Sequence, residues 1–154
     1  MVVYAYNTYL NDSGVPYLEK EKGFRIDGRR KFCHPDDIVE FICQIGIQRC
    51  AEEHTYILCL DTSNHIIGCF EVSHGTVDTA VLSPREIFQK ALLIGATSII
   101  MTHNHPSSDV TPSYEDRGVT KRIKEAGELL NVKLLDHIIV GRDSYYSFKG
   151  NNEI

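Results

Sequence analysis

Two histidines and an aspartate carry the strongest chemical signal in this chain: His103, His105 and Asp116. Ala96-Thr97-Ser98-Ile99-Ile100-Met101-Thr102 leads into them, small at first and then apolar, and reads as a buried strand. In an extended chain, residues two apart point the same way, so His103 and His105 can aim both imidazoles at one point. Pro106 has no N–H to give a ladder and stops the strand. Thr111-Pro112-Ser113 restarts the chain as a helix, with Thr111 as N-cap and Pro112 at the first helical position, and Asp116 falls one turn in. Two neutral imidazoles and a carboxylate make a three-ligand set for Zn2+. Such a set leaves the fourth position open for water, as catalytic sites do and closed structural sites do not.

The pattern His-x-His, seven residues, Ser, two residues, Asp is met by His103, His105, Ser113 and Asp116. It resembles the JAMM (MPN+) metalloprotease motif, and His103-Asn104-His105-Pro106-Ser107 is similar to the bacterial RadC branch of that family. The likeness runs from Pro35 to Gly141 and takes in Asp61-Thr62, Gly75-Thr76, Pro84-Arg85-Glu86 and Leu135-Asp136-His137. One departure is Ser108, where RadC proteins usually carry Gly; it bears on the conformation of the loop between the ligands more than on chemistry.

The resemblance implies a JAB/MPN-like, cytidine-deaminase-like layered α/β fold: a mixed, largely antiparallel sheet flanked by helices. It also implies a zinc-dependent metallohydrolase that uses a zinc-bound water to cleave a peptide or isopeptide amide bond. In the family, a carboxylate from the strand after the first helix takes and returns the proton, which points to Glu53, with Glu71 on the next strand as the alternative. The motif serine, Ser113, helps stabilise the developing oxyanion, a role compatible with helix capping. The plain reading of Glu53 is a solvated acid at a strand start. A second function class follows from the RadC name: a DNA-repair-associated or protein-interaction module with a non-catalytic metal site.

The elements that must position these residues can be read in order. Residues 1–31 lie outside the resemblance as an N-terminal extension; Tyr4, Tyr6, Tyr9, Tyr17, Val2 and Val3 around the turn signal Asn11-Asp12-Ser13-Gly14 suggest a β-hairpin. RadC proteins usually carry a longer helical DNA-binding module there, for which these residues leave no room. Residues 32–150 form the RadC-like JAB/MPN domain. His34-Pro35-Asp36-Asp37 opens a helix with Ile38, Val39, Phe41, Ile42 and Ile45 on one face and Gly46 near its end. Residues 53–60 and 65–72 are antiparallel strands, and Val77 to Leu82 a further short one. Ser83-Pro84-Arg85-Glu86 starts the second helix, which Gly95 stops. Val119, Ile123, Ala126, Leu129 and Leu130 stripe the third, before strands at Lys133–Val140 and Ser144–Phe148 and a fraying tail of four residues. Asp136 and His137 read equally as a second layer of hydrogen bonding behind a ligand or as a satisfied core pair. Asp109 reads as a turn residue, and His34, His54, His65 and His74 as surface or turn residues.

Composition limits the partners. The 154 residues are 42% hydrophobic and 24% charged, ordinary for one soluble domain. Without a membrane span or leader pattern, a cytoplasmic location with no membrane contact is expected. The five cysteines are odd in number and lack C-x-x-C spacing, so buried reduced thiols are expected. A net charge of −5 disfavours DNA as a partner, because non-specific affinity comes mainly from neutralising phosphates. Lys20, Lys22, Arg25, Arg29, Arg30 and Lys31, interrupted by Glu19, Glu21 and Asp27, read as a solvated loop. A protein or peptide is the expected substrate, and nothing in the sequence fixes an oligomeric state.

Overall fold

A computed structural model of the chain describes residues 1–26, 31–32, 34–75 and 82–154. One seven-stranded sheet is built from β1 (Val2–Leu10), β2 (Pro16–Arg25), β3 (Glu53–Leu60), β4 (Ile66–Gly75), β5 (Ser98–Asn104), β6 (Lys133–Val140) and β7 (Tyr145–Ser147). Their order is β2-β1-β4-β3-β5-β6-β7. The β1–β4 and β5–β6 pairs are parallel and the other four antiparallel. The described helices are α1 (Pro35–Ile45), α2 (Pro84–Leu93) and α3 (Tyr114–Leu130), with a single 3₁₀ turn at Ile47–Arg49. The architecture is therefore α/β, a mixed and largely antiparallel sheet flanked by helices, consistent with a JAB/MPN-like fold.

Strand alternation divides the core into two layers. Leu58, Leu60, Ile100, Ile138 and Val140 face α1 and bury Ile38, Phe41 and Ile42. Their neighbours Ile57, Cys59, Ile99 and Met101 face the other way, against Ile87, Phe88 and Ala91 of α2 and Val119 and Ile123 of α3. Phe41 is 1% exposed, so its truncation to Ala should cost about 3–5 kcal/mol. α1 ends where Gly46 turns left-handed at φ 96° and donates its N–H to the Ile42 carbonyl. α3 runs so close to the start of β6 that a Cβ on Gly127 would sit 2.4 Å from the Val132 carbonyl oxygen. No side chain fits there.

Several expectations change on inspection. The hairpin of β1 and β2 forms and joins the main sheet, with Val3 and Phe24 in the α1-side core. Lys20, Lys22 and Arg25 lie on β2 and not in a loop; the Lys20 and Lys22 ammonium groups stand 4.4 Å and 5.2 Å from the ring centroids of Tyr4 and Phe24. Asp27, Arg29, Arg30, Cys33 and the strand expected from Val77 lie wholly or largely outside the described residues. Cys59 and Cys69 are buried and free, whereas Cys43 is exposed, because it falls off the apolar stripe of α1. Burial pushes the Cys69 thiol up to about 12 and makes it a poor nucleophile. Ser83 caps α2 through its backbone carbonyl alone. The tail is tied down: Glu153 pairs with Arg117 and Tyr146, and its N–H donates to the Phe148 carbonyl. No described helix is long and apolar enough to cross a membrane.

Candidate metal centre

The two histidines sit at and just past the end of β5, which lies between β3 and β6. His103 pairs with Thr55 of β3 and faces the α3 side. His105 lies just past the strand, and its N–H still donates to the Val140 carbonyl at 3.0 Å, so the extended run carries its ring to the same side. α3 then brings Asp116 in from above. The N-cap is Ser113 and not Thr111, whose N–H donates instead to Asp109 Oδ1 at 3.0 Å. Ser113 Oγ accepts the Asp116 N–H at 3.0 Å, and Asp116 Oδ2 accepts the Ser113 N–H at 2.7 Å. This reciprocal capping box leaves Thr111 and Pro112 in the connecting loop.

His103 Nε2, His105 Nε2 and Asp116 form a triangle. Its edges are 3.1 Å between the two nitrogens, 3.2 Å from His103 to Oδ1 and 3.5 Å from His105 to Oδ2. Metal–ligand bonds of about 2.0–2.1 Å in tetrahedral geometry require edges of about 3.3 Å. The donor set thus fits a late first-row divalent ion both in spacing and in kind. The side chains of His103 and Asp116 are 4% and 5% exposed and that of His105 14%, so the site opens to solvent on the His105 side.

The outer nitrogens fix which way the lone pairs point. His105 Nδ1 is 2.6 Å from the Asp109 carbonyl, which can only accept, so Nδ1 carries the proton and Nε2 of the neutral ring is free to ligate. Behind His103 a longer chain does the same. Thr120 Oγ1 donates to the Asp116 carbonyl at 2.6 Å and must therefore accept from His137 Nδ1, also at 2.6 Å. His137 Nε2 then accepts from His103 Nδ1 at 2.8 Å, which turns the His103 Nε2 lone pair inward. His137 stays neutral because burial opposes its charge, as does His103 and, less strongly, His105, against the pull of Asp116; its ring stacks on Phe148 at 4.8 Å.

The carboxylate and the outer imidazole are tuned against one another. In the metal-free protein, where a proton can occupy the Nε2 positions that a metal would take, burial would raise the Asp116 carboxyl, but hydrogen bonds from His103 and His105, the charge of His103 and the Ser113 hydroxyl together hold it far below the ordinary carboxylate range. The His105 imidazole is raised by its hydrogen bond to Asp116. Burial opposes that rise, while the Asp109 carbonyl and the charges of Asp116 and Glu53 support it.

Glu53 opens β3 on the same face as Thr55 and His103, and its Oε2 is buried without a hydrogen-bond partner. Asn104 fixes the backbone on either side of it: Oδ1 accepts the His54 N–H at 2.7 Å and Nδ2 donates to the Glu52 carbonyl at 3.0 Å. Glu71 lies on the opposite face of the sheet, bound to His54 Nδ1 at 2.5 Å, so the structure does not bring it to the triad. Asp136 and His137 part ways because consecutive strand residues face opposite sides. Asp136 accepts from Ser147 Oγ and from the His137 and Lys149 N–H groups, away from the metal ligands. Asp109 caps its own loop and lends only its carbonyl to His105.

With this geometry in view, comparison with known proteins is decisive. Residues 32–153 match the family model described as a RadC-like JAB domain. The chain belongs to that family. The UPF0758 protein of Chlorobium phaeovibrioides is 38% identical over 137 residues, covering 89% of this chain and 61% of that protein. That of Clostridium novyi is 48% identical over 101 residues, 66% of this chain and 44% of the relative. For Thermotoga maritima the figures are 46% over 98 residues, 64% and 44%. The chain thus spans about half the length of the curated relatives it matches. In this RadC-like JAB domain the triad is a candidate metal-binding group compatible with a JAB-type site. Sequence reasoning had passed over Thr120 and Asn104. Thr120 was within reach, since it stands one turn beyond Asp116 on the same helix face; the bracketing role of Asn104 leaves no trace in spacing.

Proposed function

We propose that this RadC-like JAB domain is a zinc-dependent metallohydrolase of JAMM type that cleaves a peptide or isopeptide amide bond. The observation that carries the reading is Glu53: a buried carboxylate oxygen with no partner, on the sheet face of three converging ligands. An orphaned buried carboxylate oxygen costs stability, and a proton-transfer role accounts for keeping it. Zn2+ held by His103, His105 and Asp116 would supply Lewis acidity and would bring the pKa of water down to about 7.

The remaining work falls to the chain. Glu53 takes the proton from the attacking water and returns it to the amide nitrogen as that bond breaks, so the base of the first step is the acid of the second. Ser113 Oγ gives its hydrogen to Asp116 Oδ2 at 2.7 Å; rotation about the Cβ–Oγ bond redirects it toward the carbonyl oxygen as charge develops there. His137 and Thr120 hold the His103 ring in one tautomer throughout.

The test compares zinc-loaded wild type with Glu53→Gln on a panel of peptide and isopeptide conjugates. Turnover should fall roughly 10²-fold or more with zinc retained, the usual worth of a positioned acid–base group. Undiminished turnover in the variant would remove Glu53 from the role. If no conjugate is cleaved while duplex DNA binds at submicromolar affinity with a steep salt slope, the DNA-associated module with a non-catalytic metal takes its place.

A further inference from the structure

On the opposite face of the sheet, at the open end of β3 and β4, a second group of ligand-type side chains converges. His54 faces His74 directly across the antiparallel pair, and their rings stack at 4.0 Å. Glu71 joins them only because of a β-bulge. Three residues apart on a regular strand, Glu71 and His74 would point to opposite faces. Here Ser73 pairs with Thr55 and Glu71 with Tyr56, so Val72 is the extra residue and Glu71 returns to the face of His74. Glu71 Oε1 then lies 2.5 Å from His54 Nδ1, and Glu52 Oε2 lies 2.5 Å from His74 Nε2.

We propose that His54, Glu71 and His74 form a second, exchangeable site for a late first-row divalent cation such as Zn2+, with Glu52 as a further donor. Ligating atoms of the three residues all lie within 4.8 Å of one another, and the exposed Glu71 and His74 side chains are the ones that must rotate to reach coordination distance. Two imidazoles with carboxylates suit zinc, nickel or copper better than calcium or magnesium, which want an all-oxygen shell. Glu52 and Glu71 balance the charge of a divalent ion. The side chains of His74 and Glu52 are 55% and 64% exposed, which makes the site open and its ion exchangeable, unlike the mostly buried triad across the sheet. A cleft of about 300 Å³ lined by Glu21, Tyr56, Glu71 and His74 gives a hydrated ion room to enter.

The site stands apart from the catalytic reading. Full-length protein stripped by chelator is titrated with Zn2+ by calorimetry and with Co2+ by visible absorption. Wild type should bind two equivalents, His103→Ala one, and His103→Ala combined with His74→Ala or Glu71→Gln none. His74 and Glu71 reach solvent, and circular dichroism checks that each variant is folded. One equivalent in wild type that His103→Ala abolishes would overturn the site, as would a second equivalent indifferent to both His74→Ala and Glu71→Gln. Two equivalents without hydrolysis of any conjugate would count against the metallohydrolase and leave this site standing.

Discussion

Asn104 holds the chain on both sides of Glu53, accepting from the His54 N–H and donating to the Glu52 carbonyl. An amide oxygen meets a donor and an amide nitrogen an acceptor, so the side chain has one satisfactory orientation. Because Asn104 stands between His103 and His105, the stretch that carries both histidines, the end of β5 and the residue just past it, also positions the Glu53 carboxylate.

Asn104→Ala should therefore separate metal binding from turnover. The ligands are untouched, while Glu53 loses its fixed position, and a displacement of about 1 Å can cost about 10²-fold in rate. Metal content and steady-state rates on the same preparation check this. Wild-type turnover in Asn104→Ala would mean that the β3–β5 ladder alone positions Glu53.

Thr120→Val removes the hydroxyl that orients His137, and His137→Phe removes the acceptor behind His103. Each should weaken zinc binding about 10–100-fold, the usual effect of losing a partner behind a ligand. Competition against a chromophoric chelator measures it. Unchanged affinity in both variants would show that packing, and not the proton chain, orients His103.

Zinc binding should strengthen as pH rises. The folded-state pKa of His105 lies above its ordinary value of about 6.5. In metal-free protein, the stability this imidazole contributes is fully present below about 6.5 and is lost as pH rises through the raised value. Zinc requires the deprotonated ring, so its stabilising effect runs the opposite way. Melting curves with and without zinc, from slightly acid to slightly alkaline pH, should show the zinc-dependent rise in Tm growing with pH. A flat difference would contradict the shift.

Ser108 adopts φ 63°, the left-handed conformation that glycine takes without strain. A side chain there costs about 1–2 kcal/mol, partly offset because glycine gains more freedom in the unfolded chain. Ser108→Gly should raise stability by a few tenths to about 1 kcal/mol, read from urea denaturation midpoints. Loss of stability would mean that the Ser108 contacts outweigh the strain.

What was legible in the sequence was whatever obeys a simple period. Two-residue alternation placed His103 and His105 together, and the resemblance to the JAMM motif, with its seven- and two-residue gaps, singled out Ser113 and Asp116. The helix start was misjudged by two residues because Pro112 drew the cap to Thr111, although Ser113 and Asp116 have capping-box spacing. The grouping of His54, Glu71 and His74 was hidden for a different reason. A bulge shifts the alternation by one residue, and nothing in the run Ile66 to Gly75 announces where it falls. Side-chain bonds to backbone, such as those of Asn104, belong to tertiary geometry and have no period to read.

The Asp116 carboxylate is divided between two duties, with Oδ1 turned to His103 and Oδ2 to the Ser113 N–H and hydroxyl. This division constrains how the protein can drift over generations. Glu at position 116 keeps the charge but moves the oxygens outward by a methylene, so it cannot cap the helix and reach the imidazoles at the same time. Ala at position 113 leaves Oδ2 only the backbone N–H and removes the oxygen that accepts the Asp116 N–H, which loosens the first turn that carries the ligand. The two positions are thereby tied together, and the mildest chemical exchange at either is felt at once by the other.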